Sequence, residues 1–311
     1  MISFQLTARS RHRVCPMLHY LKYLLPLALM ALAGCTYREG MLKSTLVPWA
    51  QVSPYGITMA LAFYSAFLLI EREFPRVGLK VQLGDYILLA GVVGGIVGAK
   101  IAYVIEIRNT PEFQQGTLIS HLFSGAGLTW YGGFILASAA IIFILWKNKV
   151  NILFGIDTLT PMLALGYVFG RTGCILSGDG CYGGLCTMNW PAPFCMAFPN
   201  GAASWSEWLA KYGNGNPAAT AINTPFFESA FSFLCFLFLW GVRKKPWPLG
   251  SKFFLYLFLH ALFRFSIEFI RLNPRDVFGL SQAQFLSLLL MALSAGYVVV
   301  AFTRRSLVAP R

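Results

Sequence analysis

Two arginines inside apolar stretches are the residues of this 311-residue chain that point most directly to chemistry. Arg171 lies within the run from Leu163 to Leu176, and Arg264 lies within the run from Phe253 to Ile270. An ionised side chain inside a membrane is costly unless it is paired or faces a polar cavity. Because a planar guanidinium group suits phosphate and carboxylate oxygens, the two arginines predict a cavity for an anionic ligand, most simply a phospholipid headgroup.

Arg264 is one of several polar residues on one face of a predicted helix. Glu268 and Arg271 follow it at i+4 and i+7, and His260 lies one turn before it. This spacing is expected to turn the side chains toward the same cavity. His260 fits either a proton carrier or an ordinary interior histidine, and the sequence leaves both interpretations open.

Composition indicates which elements must position these residues. With 57% hydrophobic and 12% charged residues, the chain is predicted to be an all-α polytopic membrane protein. An α-helix needs about 20 apolar residues to cross the hydrocarbon layer of a membrane. Seven such windows are predicted to surround the polar cavity, near residues 55–70, 85–106, 130–146, 156–176, 226–242, 252–271 and 281–302.

Lysine and arginine are concentrated in alternate loops between these windows, which predicts the orientation of the chain. Such residues favour the cytoplasmic side of a membrane. Residues 41–311 are therefore predicted to form a multi-pass domain whose long loop, 177–224, lies outside the cytoplasm. The net charge of +13 is explained by loops that face anionic lipid, so no nucleic acid partner is expected. The basic residues that carry this argument are Arg72, Arg76, Lys80, Lys147, Lys149, Arg243, Lys244, Lys245, Lys252, Arg304, Arg305 and Arg311.

Residues 1–40 form a separate segment in which basic residues precede an apolar stretch. Three arginines come before the run from Leu24 to Ala33, which leads into a lipobox-like sequence ending at Cys35. The pattern fits a bacterial signal peptide of the lipoprotein type, an uncleaved extra transmembrane helix, or a protein whose translation starts at Met41. All three interpretations place residue 54 outside the cytoplasm.

Three cysteines lie close together in the long loop. Cys181, Cys186 and Cys195 would face an oxidising compartment, which permits one disulfide and leaves one thiol over. A zinc site is the alternative, although no histidine accompanies the cysteines in this loop. The sequence favours the disulfide, and no metal site is predicted.

Two glycine-containing segments carry further candidate residues. Tyr131 precedes Gly132 and Gly133 at the start of the third window, where a bared backbone amide could face a ligand oxygen. The alternative is that Tyr131 is an aromatic anchor at the membrane surface. The run from Gly170 to Gly184 places an arginine, several glycines and Asp179 close together, which is rare in a membrane helix. Asp179 could act in the site or only form an ion pair with that arginine.

Taken in order, these motifs resemble the bacterial prolipoprotein diacylglyceryl transferase family. The likeness covers roughly residues 50 to 302 and includes the number and orientation of the helices. It is carried by the segment from Gly170 to Asp179, the Thr-Pro-x-x-Glu sequence ending at Glu228, and Phe263, Arg264, Glu268, Phe269, Arg271, Gly279, Leu280, Ser281, Gln284 and Ser287.

The resemblance implies a seven-helix enzyme of the bacterial inner membrane. Such an enzyme moves a diacylglyceryl group from phosphatidylglycerol to the lipobox cysteine of a prolipoprotein and releases glycerol phosphate. It implies no metal or soluble cofactor. The expected partners are phosphatidylglycerol, prolipoprotein signal peptides and membrane lipid, and we expect a monomer.

The resemblance also implies roles for individual residues. Arg171 and Arg264 match the two arginines that the family needs for activity. The candidate catalytic residues are Arg171, Arg264, Tyr131, Asp179 and Glu268, and the candidate substrate-binding residues are Tyr55, Gly132, Gly133, Gly170, Gly183, Glu228, His260 and Arg271.

Three positions depart from the family pattern. The histidine before the two glycines is Tyr131 here, the asparagine three residues after the first arginine is Cys174, and the following glutamate is Asp179. A tyrosine phenol is a weak base at neutral pH. Our hypothesis is that Tyr131 orients the substrate while the field of the arginines activates the acceptor thiol, with His260 or Asp179 as the alternative base.

These departures leave rival functions open. A non-catalytic lipid or lipoprotein binder would keep the cavity for an anionic headgroup without the chemistry. A related lipid transferase with a different acceptor is a second alternative. A small-solute transporter would also explain charges inside the membrane, but the two hydrophobic halves show no inverted repeat.

Overall fold

The computed structural model describes residues 35–38, 41–44, 51–110, 113, 116–123, 129–188, 190–275 and 278–304. The predicted signal-like segment, residues 1–40, lies outside this part of the chain except for one short strand. In chain order the elements are β1 (Cys35–Arg38), β2 (Met41–Ser44), β3 (Gln51–Val52), α1 (Pro54–Arg76), α2 (Val81–Ile107), α3 (Leu118–Phe123), α4 (Trp130–Lys147), α5 (Ile152–Ser177), β4 (Cys195–Met196), α6 (Trp205–Tyr212), β5 (Ala221–Ile222), α7 (Thr224–Val242), α8 (Ser251–Ile267) and α9 (Gln282–Arg304).

Seven of these helices coincide with the seven predicted windows. Five of them, α1, α2, α5, α7 and α9, are long and apolar enough to cross a membrane. The other two, α4 and α8, are shorter, with 18 and 17 residues. The prediction of an all-α polytopic membrane protein is therefore confirmed.

Glycines allow α2 and α4 to pack with their backbones close together. A methyl group added to Gly98 would lie 2.3 Å from the carbonyl oxygen of Gly132, and one added to Gly133 would lie 2.7 Å from that of Gly95. Small residues favour such close contact between helices in lipid. The other main contacts join α1 to α5, α5 to α7, and α8 to α9.

Asp157 fixes the beginning of α8 to the side of α5. Its two carboxylate oxygens accept hydrogen bonds from the backbone amides of Gly250, at 2.8 Å, and Phe253, at 2.9 Å. The first amides of a helix have no partner within the helix, so a carboxylate there satisfies two of them and also complements the helix dipole. Because Asp157 is buried, this contact joins two helices inside the protein.

The segment between α5 and α7 has its own small core. Strands β4 and β5 pair antiparallel, and stacked aromatic rings of Tyr182, Phe198, Trp205 and Trp208 fill the space around α6. A disulfide joins Cys186 to Cys195, which confirms the predicted disulfide. Cys181 is the thiol left over. The aromatic core and the disulfide thus stabilise this segment next to the end of α5.

Candidate active site

Glu228, in the first turns of α7, is the centre of a buried cluster of charges. Its side chain is only 1% exposed and it pairs with arginines from three places in the chain. The distances from its carboxylate oxygens are 2.5 Å to Nε of Arg171, 3.0 Å to Nη1 of Arg264 and 3.3 Å to Nη1 of Arg271. The two arginines singled out by the sequence therefore converge on one carboxylate.

Tyr167 holds Arg171 in this position. Its hydroxyl donates a hydrogen bond to Glu228 and accepts one from Nε of Arg171 at 2.9 Å. Tyr167 and Arg171 are four residues apart on α5, so they lie on the same helix face. The guanidinium carbon of Arg171 also lies 5.2 Å from the centre of the Tyr167 ring, within the range of a cation–π contact.

A second buried carboxylate, Glu268, links the other two arginines. Its Oε2 lies 3.0 Å from Nη2 of Arg264 and 3.6 Å from Nε of Arg271. Its Oε1 accepts hydrogen bonds from Asn273 at 2.5 Å and from Ser281 at 3.0 Å. The spacing predicted for Arg264, Glu268 and Arg271 thus produces a connected set of side chains, although α8 ends at Ile267.

The cluster keeps an excess of positive charge. Three guanidinium groups and two carboxylates leave a formal charge of +1. The side chains of Arg171 and Arg264 are 17% and 20% exposed, whereas both glutamates are 1% exposed. An anion that approaches the cluster therefore meets arginines first, and its negative charge would balance the excess.

The loop after α5 closes over one side of this cluster. The carbonyl oxygen of Cys181 accepts hydrogen bonds from Nη1 of Arg271, at 2.8 Å, and from Oγ1 of Thr224, at 2.6 Å. Gly183 forms a backbone bridge with Arg271 and accepts a hydrogen bond from Nε1 of Trp208 at 3.3 Å. A methyl group on Gly183 would lie 2.9 Å from the carbonyl oxygen of Ile270, so this close approach requires glycine.

Two thiols and a carboxylate lie beside the arginines. The ligand atoms of Cys174, Asp179 and Cys181 are within 4.8 Å of one another. The Cys174 thiol hydrogen-bonds to Cys181 and, together with the charges of Arg171 and Arg271, lowers the pKa of Cys181 from 9.0 to about 7. The same arginines would repel a divalent cation, so we assign no metal to this trio.

Asp179 does not pair with Arg171, although the sequence allowed this. Within the described part of the chain, the ion-pair partner of Arg171 is Glu228. Asp179 is exposed, and its Oδ1 accepts a hydrogen bond from the backbone amide of Cys181 at 3.1 Å. It therefore shapes the loop that carries Cys181, and a catalytic role for it stays a prediction.

Tyr55 and His260 approach the cluster from two sides. The Tyr55 ring lies against α5, where a methyl group added to Gly173 would come within 2.9 Å of it. His260 packs edge-on against Tyr167, with 4.4 Å between the ring centres. Its Nδ1 is buried without a hydrogen-bond partner among the described residues. Gly170, by contrast, has open space beside its α-carbon.

Gly132 and Gly133 lie where α4 crosses α2, whereas the charge cluster is built by α5, α7 and α8. Close helix packing accounts for both glycines, so a role for them in substrate binding stays a prediction. Tyr131, beside them, is 51% exposed. Its proposed role as a substrate orienter also stays a prediction.

Sequence reasoning missed two residues that hold the cluster together, Tyr167 and Asn273. A signal was present for Tyr167, because a tyrosine four residues before an arginine on an apolar helix can share its face. Asn273 gave no such signal, since it lies beyond the end of α8, where helical spacing does not apply. Thr224 belongs to the Thr-Pro-x-x-Glu motif, but its contact with Cys181 joins segments that are distant in the chain.

Comparison with known proteins identifies the family of the chain. The family described as prolipoprotein diacylglyceryl transferase matches residues 44–300. A phosphatidylglycerol–prolipoprotein diacylglyceryl transferase from Leptospira interrogans is 32% identical over 252 residues, which are 72% of this chain and 73% of that protein. Proteins of the same name from Dehalococcoides mccartyi and Burkholderia thailandensis are 30% and 27% identical, over 82% and 80% of this chain and 90% of each relative. The chain belongs to the prolipoprotein diacylglyceryl transferase family.

Proposed function

We propose that this protein transfers a diacylglyceryl group from phosphatidylglycerol to the lipobox cysteine of prolipoproteins. The observation that carries the proposal is the convergence of Arg171 and Arg264 on Glu228. The names of its relatives supply the two substrates. We further propose that it acts as a monomer in the bacterial inner membrane, with the segment 178–223 outside the cytoplasm.

The arginines would stabilise the leaving group. In this reaction the cysteine sulfur bonds to an sp³ carbon of the glycerol unit, and the bond from that carbon to a phosphate oxygen breaks. Glycerol phosphate departs with the electron pair, so negative charge grows on its oxygen. Arg171 and Arg264 are held in place by Tyr167 and Glu228, so they can bind that charge without rearranging.

The same positive charge would help the acceptor thiol to lose its proton. A cysteine thiol has an ordinary pKa of about 8.5, and nearby positive charge favours the thiolate. The Cys174 thiol is the largest cause of the lowered pKa of Cys181, about 7, but Arg171 and Arg271 also lower it, which supports such an effect at this place in the protein. Tyr131 remains our candidate for orienting the acceptor, with His260 or Asp179 as alternative bases.

Alanine substitution of the arginines tests the proposal. Arg171→Ala and Arg264→Ala should each lower the transfer rate by about 100-fold or more, as expected when a group that stabilises developing charge is removed. The assay follows labelled phosphatidylglycerol and a lipobox peptide in detergent micelles, and the product is a thioether-linked peptide. Arg108→Ala, at an exposed arginine that follows α2, is the matched control and should keep the rate. Full turnover by either site variant would contradict the proposal.

A non-catalytic binder is the second candidate, because Tyr131 and Cys174 depart from the family pattern. Such a protein would bind phosphatidylglycerol and release no product. Expression in a strain depleted of its own transferase separates the two functions. The transferase should restore growth, whereas rescue is not possible for a binder.

A further inference from the structure

Two of the free thiols in the described residues lie together at the C-terminal end of α5. Cys174 is buried in α5, Cys181 is half-buried in the following loop, and their sulfur atoms are within 4.8 Å of each other. The third described free thiol, Cys235 on α7, belongs to a separate cluster with Ala164 and Tyr256. Cys174 and Cys181 are thus placed as a pair.

The backbone at Cys181 is fixed, so its thiol stays next to α5. Its carbonyl oxygen accepts hydrogen bonds from Thr224 and Arg271, and its amide donates one to Asp179. A disulfide needs its sulfur atoms about 2 Å apart. The two sulfur atoms, now within 4.8 Å of each other, would have to move closer for the bond to form.

The surroundings favour exchange between thiols and disulfides. The same loop carries the disulfide between Cys186 and Cys195, so the loop lies in surroundings that oxidise thiols. The Cys174 thiol, Arg171 and Arg271 stabilise a thiolate at Cys181, and the thiolate is the attacking species in exchange.

We propose that Cys174 and Cys181 are a redox-active dithiol that forms a disulfide by exchange with an external disulfide of the glutathione type. The Cys181 thiolate attacks one sulfur of that disulfide, and the other sulfur leaves as a thiolate and takes up a proton. Cys174 then loses its proton and attacks the sulfur of Cys181, which releases the second external thiol. The protein loses two electrons and two protons, and the external disulfide becomes two thiols.

The redox state would change the charge that an anionic ligand meets. A thiolate at Cys181 adds one negative charge beside the arginine cluster, whereas a disulfide adds none. Oxidation should therefore strengthen phosphatidylglycerol binding. This consequence rests on the proposed function, but the dithiol itself does not.

Peptide mapping tests the dithiol without any lipid substrate. The full-length protein in detergent micelles is incubated with reduced or oxidised glutathione, alkylated, and digested with chymotrypsin. Cleavage after Leu176 and Tyr182 places Cys174 and Cys181 on separate peptides. In the oxidised sample we expect these peptides to be joined and two hydrogens lighter than their sum, and dithiothreitol should separate them.

Variants and an internal reference sharpen the result. Cleavage after Phe194 separates Cys186 from Cys195, so their joined peptides report intact native pairing. Cys235→Ser should form the Cys174–Cys181 link normally. Cys174→Ser should instead leave glutathione attached to Cys181.

Three outcomes would overturn the proposal. Both thiols could still be alkylated after oxidation, or Cys181 in the unsubstituted protein could be joined to Cys186 or to glutathione alone. The third outcome is that the thiols react only after a chelator is added. The last outcome would indicate a metal site. Titration of both redox forms with phosphatidylglycerol in mixed micelles tests the consequence for binding. We expect several-fold tighter binding by the oxidised form, and equal affinities would overturn that consequence alone.

Discussion

Single residues in this protein act mainly by holding other residues in place. Glu228 is the clearest example, because it binds three arginines that are far apart in the sequence. Removing one partner of a buried ion pair commonly costs about 3–5 kcal/mol, since the remaining charge is left unpaired. From the sequence, the Glu228 carboxylate could orient a cavity arginine or only face the interior of the bundle. The sequence could not predict that Glu228 is the shared partner of three arginines, because that depends on how the helices meet.

Tyr167→Phe should lower the transfer rate by about 10-fold to 100-fold. The variant keeps the aromatic ring but loses the hydrogen bonds to Glu228 and Arg171, and losing a buried partner costs about 1–3 kcal/mol. Tyr256→Phe is the matched control, since its hydroxyl lies 3.5 Å from Ser232 in a different cluster. The micelle assay gives the rates. An unchanged rate for Tyr167→Phe would show that Arg171 needs no support from this hydroxyl.

The reactivity of Cys181 should depend on pH with a midpoint near 7. Alkylation by iodoacetamide requires the thiolate, so the rate should fall as the pH drops through 7, whereas an ordinary cysteine loses reactivity near pH 8.5. Because folding lowers this pKa, the associated stabilisation is present above the ordinary thiol pKa of about 8.5 and is lost as the pH falls through about 7. The groups that face the thiol are Cys174, Arg171, Asp179, Tyr182, Tyr55 and Arg271.

The peptide that ends at Tyr182 reports alkylation at this site alone. Cys174→Ala removes the thiol that donates to Cys181, so the midpoint should rise. A midpoint near 8.5 in the unsubstituted protein would contradict the arrangement of charges described here.

At the scale of helices, hydrophobic windows predicted most of the fold. The window 156–176 became α5, Ile152–Ser177, and the window 252–271 became α8, Ser251–Ile267, with Arg271 beyond its end. The internal structure of the loop 177–224 was not predicted. Its disulfide was expected from the three clustered cysteines, but the stacking of Tyr182, Phe198, Trp205 and Trp208 leaves no periodic pattern in the sequence.

The contact between α2 and α4 can be tested with two glycines of the same helix. Gly98→Ala places a methyl group 2.3 Å from a backbone oxygen of α4, so it should destabilise the protein by about 1–3 kcal/mol. Gly95→Ala is the control, because an added methyl group there meets nothing within 4 Å. Thermal unfolding in detergent gives the comparison. Equal melting temperatures would argue against this helix contact.

For the whole molecule, the uneven distribution of positive charge predicts the orientation in the membrane. A single cysteine introduced at Lys211, in the loop before α7, should react with a membrane-impermeant maleimide when only the outer membrane of the cells has been permeabilised. A cysteine at Lys245, between α7 and α8, should react only after the inner membrane is permeabilised. Both positions are exposed, so access to the reagent decides the result. The opposite pattern would reverse the proposed orientation.

Asp157 helps to fix the position of α8 along α5. It ties the start of α8 to α5, while Glu228 ties Arg171 on α5 to Arg264 on α8. At 1.5 Å per residue, the eleven residues from Phe253 to Arg264 separate these two attachment points by about 16 Å along α8. Two helices that are attached to each other at both levels cannot slide along each other. The guanidinium groups therefore keep one height in the bilayer, and a lipid phosphate has to come to that height to meet them.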